Sequence, residues 1–175
     1  MQGAGTKIVR NRILPERGSG ILIGRQQGVE IFDNEIRDND TANIIISSYY
    51  ATGWEGMRDM GGEYDPYPEA IYIYGNRMSG GGSSPDGLDL KALKVALFGL
   101  NGRLPDVLWD GYYNADKADA DGKLLPDYAI CVDNGDAQVL NADLSNGSAD
   151  IVVGADQHNC DHEKLAPVVL EAPLG

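Results

Sequence analysis

The residues best suited to chemistry lie in four clusters. Asp86 and Asp89 stand three apart in SSPDGLDL (83–90). Paired carboxylates can serve as acid and base in glycoside cleavage, so both are candidate catalytic residues, with a Pro-Asp-Gly turn and an outward Asp as the competing reading. The segment 47–69 carries Tyr49, Tyr50, Trp54, Tyr64 and Tyr67 beside Glu55, Asp59, Glu63, Asp65 and Glu69. Aromatic faces beside acids suit a sugar groove, because the apolar face of a pyranose stacks on a ring. The five aromatics are therefore candidate substrate-binding residues, with simple packing as the competing reading.

Two further clusters concern metal and sulfur. Asp119, Asp121 and Gly122 stand in D-x-D-G order within NADKADADGKLLPD (114–127), which resembles a Ca²⁺ loop. Lys117 and Tyr128 stand where such a loop wants acids. His158, Cys160 and His162 form H-x-C-x-H, three zinc ligands on one face if the segment is a strand. The chain has 2 cysteines, Cys131 and Cys160, and an acidic, β-rich chain favours a disulfide between them over a metal. Closing a loop of that length stabilises by about 3 kcal/mol in the chain-entropy view.

The elements that must position these groups are short strands. Glycine (23 residues), asparagine and aspartate are abundant, and all three favour turns over helices. Segments TKIVRNRI (6–13), VEIFDNEI (29–36) and IYIYGNRM (71–78) repeat. They place Ile8, Ile31 and Ile73 in one column, Asn11, Asn34 and Asn76 in a second, and Ile13, Ile36 and Met78 in a third. Each copy is followed by a second alternating stretch: GSGILI (18–23), TANIII (41–46) and DGLDL (86–90). Alternation buries one face. A period of 23 residues without hairpin signals predicts parallel stacking of like strands. Stacked asparagines would then form a structural ladder at a bend, where Asn tolerates the left-handed region and satisfies exposed backbone groups.

The unit V-x-I-x-x-N-x-I followed by G-I-x-I resembles the right-handed parallel β-helix repeat of pectate-lyase-like proteins. LPDVLWDGYYN (104–114) and the Cys-containing tail also look like a bacterial group of secreted β-helix-repeat proteins of poorly defined function. The resemblance implies an all-β, right-handed parallel β-helix of about four to five rungs in a single domain, 1–175. Repeat copies would span 6–90, loop insertions 47–69 and 91–127, late rungs 128–154 (with Ile130 and Val132 inward and Asn134 on the ladder), and a capping tail 155–175. KALKVALFGL, at the start of the second insertion, suits one short helix. The PDGLD stretch is similar to the N-T-D-G-x-D signature of polygalacturonase-type hydrolases, but Ser84 and Pro85 replace Asn-Thr, and no other part of that signature is present. Lyases of this kind use Ca²⁺ with an Arg or Lys base, for which Arg37, Arg77 and Arg103 are candidates that spacing does not separate.

Lys plus Arg is 14 and Asp plus Glu 27, a formal charge of −13. That disfavours nucleic acid and anionic membrane surfaces. No run of 18 apolar residues predicts a membrane span, and no signal peptide follows Met1. The resemblance implies a periplasmic or secreted protein that binds or processes polysaccharide, with Ca²⁺ as the one candidate cofactor. The charge argues against anionic polymers unless Ca²⁺ bridges them. The alternative is a non-catalytic structural or interaction module, as the C-terminal part of a longer β-helix or a subunit of a surface assembly. Met1 lies five residues from the first repeat strand, so the N-terminal rung is expected to be covered by another subunit or by further coil.

Overall fold

A computed structural model describes residues 5–15, 17–52 and 65–167. Each repeat copy makes a short strand, a sharp corner, and a shorter strand. The first strands, β1 (Thr6–Val9), β4 (Gln27–Phe32), β7 (Glu69–Tyr74) and β10 (Ile130–Asp133), form one parallel sheet. The shorter strands, β2 (Arg12–Ile13), β5 (Glu35–Arg37) and β8 (Arg77–Ser79), form a second. A third holds β3 (Ser19–Gly24), β6 (Ala42–Ser47), β9 (Val107–Trp109) and β11 (Val139–Asn141) in parallel, with β12 (Val152–Gly154) antiparallel to β11.

The registers bring like residues together. Ile8 pairs with Ile31, Ile31 with Ile73 and Ile73 with Val132. Ile13, Ile36 and Met78 stack in the second sheet. Ile21, Ile44, Val107 and Val139 stack in the third. These side chains meet in one core. Ile31, Ile36, Ile44, Ile46, Ile71 and Ile73 are completely buried. Burying each stabilises the fold by about 2 kcal/mol before entropy is counted.

Asn11 donates from its backbone N–H and Nδ2 to Asn34 Oδ1 (2.9 and 3.2 Å). Asn34 donates in the same way to Asn76 Oδ1, and Asn76 to Asn134 Oδ1. The left-handed residue at these corners is not the asparagine. It is the residue before it: Arg10 (φ 56°), Asp33 (φ 55°) and Gly75 (φ 61°). The carboxamide must lie along the stack to reach its neighbour, so the preceding residue makes the bend.

The chain is not the all-β right-handed parallel β-helix that the repeat predicts. It has 17 % helix and 34 % strand, three sheets that include an antiparallel pair, and a helix, an α/β-type arrangement. The sheets hold four, three and five strands, so they are not a uniform stack of four to five complete turns. DGLDL does not supply a strand; Leu88 opens an 11-residue helix, α1 (Leu88–Phe98). The reason is the composition of 91–97: its leucines, alanines and lysines are strong helix formers, and they outweigh two alternating leucines. Val107 and Trp109 take the places against β6 that alternation assigns to Leu88 and Leu90. Leu90, Leu93 and Phe98 of α1 instead pack outside the third sheet, on a second cluster with Leu108 and Leu140.

The described part of the tail lies along a sheet. From His158 to Leu165 it crosses the outer face of the first sheet, strand by strand. Cys160 is bonded to Cys131 in β10. The His162 ring meets Tyr72 of β7 edge-on, and Lys164 lies over the Tyr74 ring. Leu165 N–H donates to Glu30 of β4, and Lys7 of β1 donates to Leu165 O.

Candidate functional site

The tyrosines gather where the third sheet hands the chain back to the first. Register places Ser47, at the end of β6, beside Asp110, the residue after β9. Asp110 is buried, and it accepts from Ser48 N–H (2.5 Å), Ser47 Oγ (3.3 Å) and Tyr112 N–H (3.0 Å). Burial pushes its carboxyl above the ordinary range, against the pull of these bonds. Ser48 Oγ accepts from Tyr50 N–H. The Asp110–Ser48 knot thus fixes Tyr50 and Tyr112 at equivalent exits from adjacent strands.

Tyr67 arrives from the next strand entrance. Asp65 Oδ1 accepts the Tyr67 N–H, a local turn that aims the ring. The Tyr50 ring lies 5.4 Å from both Tyr67 and Tyr112. Tyr50 is 36 % exposed, and the other two are half-buried. The Tyr67 hydroxyl is pushed up to about 12 by burial, then by its bond to Tyr50 and the charges of Asp65 and Glu69. It remains a neutral donor throughout the physiological range.

An ion cluster built around the buried Glu69 lies beside the rings. Lys117 Nζ reaches Asp65 Oδ2 (2.7 Å) and Glu69 Oε2 (2.5 Å), and stands 4.9 Å from the Tyr128 ring centre. Glu69 is almost wholly buried and its Oε1 has no hydrogen-bond partner. Burial raises the Glu69 carboxyl, helped by Asp65, while Lys117 opposes the rise. Burial alone would lower the Lys117 ammonium, but its bonds to the two carboxylates hold it above its ordinary value. Lys117 therefore stays charged. It pins the second insertion to β7 and is not a free base.

The remaining candidates are dispersed. Asp86 and Asp89 are exposed; Asp86 N–H donates to Thr41 Oγ1, and Asp89 stands in the first turn of α1, where a carboxylate complements the helix dipole. Neither joins the tyrosine corner. Tyr49 lies under Arg25, 4.9 Å from ring centre to guanidinium. Trp54 and Tyr64 lie outside the described residues, as do Glu55, Asp59 and Glu63. Asp119 Oδ1 accepts the N–H groups of Asp121 and Lys123, so it closes its own turn. Among the described residues no group of three or more His, Cys, Asp or Glu could hold a metal ion.

The H-x-C-x-H segment is part of the tail. Cys131 and Cys160 form a disulfide, with Cα atoms 4.9 Å apart. His158 Nδ1–H donates to Ile130 O and His162 Nε2–H to Ala129 O. Burial lowers the His158 imidazole, countered by the Ile130 bond. Of the candidate bases, Arg37 lies 3.5 Å from Glu35, and Arg103 holds Gly80 O and Asp106. Arg77 lines a cleft at the end of the second sheet.

Sequence reading does not connect Tyr112 with Tyr50 or single out Asp110, and it meets Lys117 only as a residue where a Ca²⁺ loop wants an acid. One signal is available. A Tyr-Tyr pair follows the third-sheet strand in both insertions, at 49–50 and 112–113. No protein-family model, curated protein or solved structure matches the chain. No helix among the described residues is long and apolar enough to cross a membrane. The disulfide is consistent with an extracellular location.

Proposed function

We propose that the protein is a non-catalytic module that binds a neutral polysaccharide outside the cytoplasm, using Tyr50, Tyr67 and Tyr112 as the saccharide platform. The observation that carries this reading is the convergence of three tyrosines from three separate chain passes on one partly exposed corner. Their faces offer stacking surface, and the Tyr67 hydroxyl, pushed up to about 12, stays a neutral donor. Asp65 beside them offers a carboxylate acceptor for sugar hydroxyls. Binding is favoured over processing because Asp86 and Asp89 are exposed on the turn and first helical turn that lead into α1, and among the described residues neither forms an ion pair with a basic side chain. The charge of −13 selects against uronate polymers.

Affinity electrophoresis and calorimetry against neutral and uronate polysaccharides test this. Saturable binding to a neutral polymer, lost in Tyr50→Ala/Tyr112→Ala, is the expected result. A reducing-sugar assay and unsaturated-uronate absorbance on the same samples should show no product. Catalytic release of sugar, or binding unchanged in the double variant, overturns the reading.

A further inference from the structure

The second sheet stops one strand short of its neighbours. The first sheet goes on from β7 to β10, and the third from β9 to β11, but among the described residues β8 is the last strand of the second. After β10 the chain reaches Asn134 and turns at once; Ala137 N–H bonds back to Asn134 O, and among the described residues no strand is laid on the edge of β8 away from β5. The result is a cleft of about 390 Å³, lined by Arg77, Met78, Asp106, Asp133, Asp136 and Ala137 among others.

Backbone alternation shows what the cleft offers. Arg77 N–H donates to Asn34 O, and Ser79 O accepts from Asp38 N–H, so both residues face β5. Met78, between them, therefore points its N–H and C=O to the open side. Its side chain ends the column Ile13–Ile36–Met78 and packs against the core. A fourth strand would supply the next apolar side chain of that column. Asp133 and Asp136 are exposed at the cleft, and neither carboxylate forms an ion pair among the described residues.

We propose that the open edge of β8 docks an extended segment of a partner protein, a parallel strand with an apolar residue over Met78 flanked by lysine or arginine. Main-chain bonds to Met78 give the pairing, as in strand addition to a sheet edge. The apolar residue extends the Ile13–Ile36–Met78 column. The basic flanks are selected by Asp133 and Asp136 and by the overall charge of −13. The proposal does not rest on the saccharide reading.

The test first changes the probe against the unaltered protein and then removes the two carboxylates. A fluorescein-labelled peptide, Gly-Ser-Lys-Val-Arg-Ser-Gly, is titrated with the full chain by anisotropy. In a parallel strand with Val over Met78, the N–H of the following Arg bonds Met78 O, whereas the Val N–H points away. Methylating the Arg amide should weaken binding at least tenfold, and methylating the Val amide should leave it unchanged. A peptide with Glu in place of Lys and Arg should not bind. Asp133→Asn/Asp136→Asn, with unchanged circular dichroism, should weaken binding and flatten its salt dependence. The proposal is overturned by absence of saturable binding, by equal binding of the two methylated peptides, by binding of the acidic peptide, or by an edge-to-edge homodimer that the peptide does not dissociate.

Discussion

Lys7 and Leu165 stand 158 residues apart in the chain, yet Lys7 Nζ donates to the Leu165 carbonyl at 2.7 Å. The same ammonium lies 3.0 Å from Glu30, which accepts the Leu165 N–H. The first strand of the fold is thus tied to the tail through one buried carboxylate. At its other end the tail is held by the Cys131–Cys160 disulfide. It acts as a strap across all four strands of the first sheet.

Removing the disulfide should loosen that strap. Cys131→Ala/Cys160→Ala is expected to cost about 3 kcal/mol, from closure of a loop with sequence separation 29. Denaturant melts of the oxidised, reduced and double-variant proteins check this. The amides of 158–165 should lose hydrogen-exchange protection before those of β4 and β7 do.

His158 makes stability depend on pH in a defined direction. Its imidazole is buried against the Trp109 ring, and its folded pKa lies below the ordinary 6.5. The unfolded chain therefore binds the proton more tightly. The stabilisation is complete above the unfolded pKa and falls away as pH drops from 6.5 toward the folded value. Melting temperature should decline over that window in the native protein, and the decline should be shallower in His158→Gln.

Asn34 sits inside the ladder and is buried. Its Oδ1 accepts from Asn11 N–H and Nδ2, and its Nδ2 donates to Ile8 O, Phe32 O and Asn76 Oδ1. Asn34→Ala leaves several of these unsatisfied and should cost about 2–3 kcal/mol. Asn11→Ala, at the exposed end, should cost less. Paired urea melts decide the order.

Lys117 balances the buried Glu69. Lys117→Met should destabilise the fold by about 3–5 kcal/mol, because it leaves a buried carboxylate without its partner. Lys117→Met/Glu69→Gln should recover most of the loss. Equal stability of the single and double variants would contradict the pairing.

Tyr50 is the ring shared by both contacts of the tyrosine corner. Tyr50→Ala is expected to weaken binding of a neutral polysaccharide about fivefold, in keeping with aromatic contacts of about 1 kcal/mol beyond area burial. Tyr50→Phe should retain most of the stacking. Calorimetry on the folded variants separates ring from hydroxyl.

What the amino-acid order determined by itself is the local register: isoleucines every second residue, asparagines 23 and 42 apart, and two cysteines able to pair. Alternation reports which face of a strand is buried, and equal spacing reports which residues stack, so these are legible without coordinates. Alternation does not separate two leucines of a strand from the first turn of a helix. DGLDL therefore reads as a strand, and the helix propensity of the residues after it decides otherwise. Tertiary structure alone decided that the tail runs along a sheet, that Tyr50, Tyr67 and Tyr112 share a corner, that Lys117 meets Glu69, and that the edge of β8 away from β5 carries no strand among the described residues. Each depends on where long connections return, and such connections carry no periodicity to read. Their course is chosen by the burial and charge pairing found only when distant segments meet.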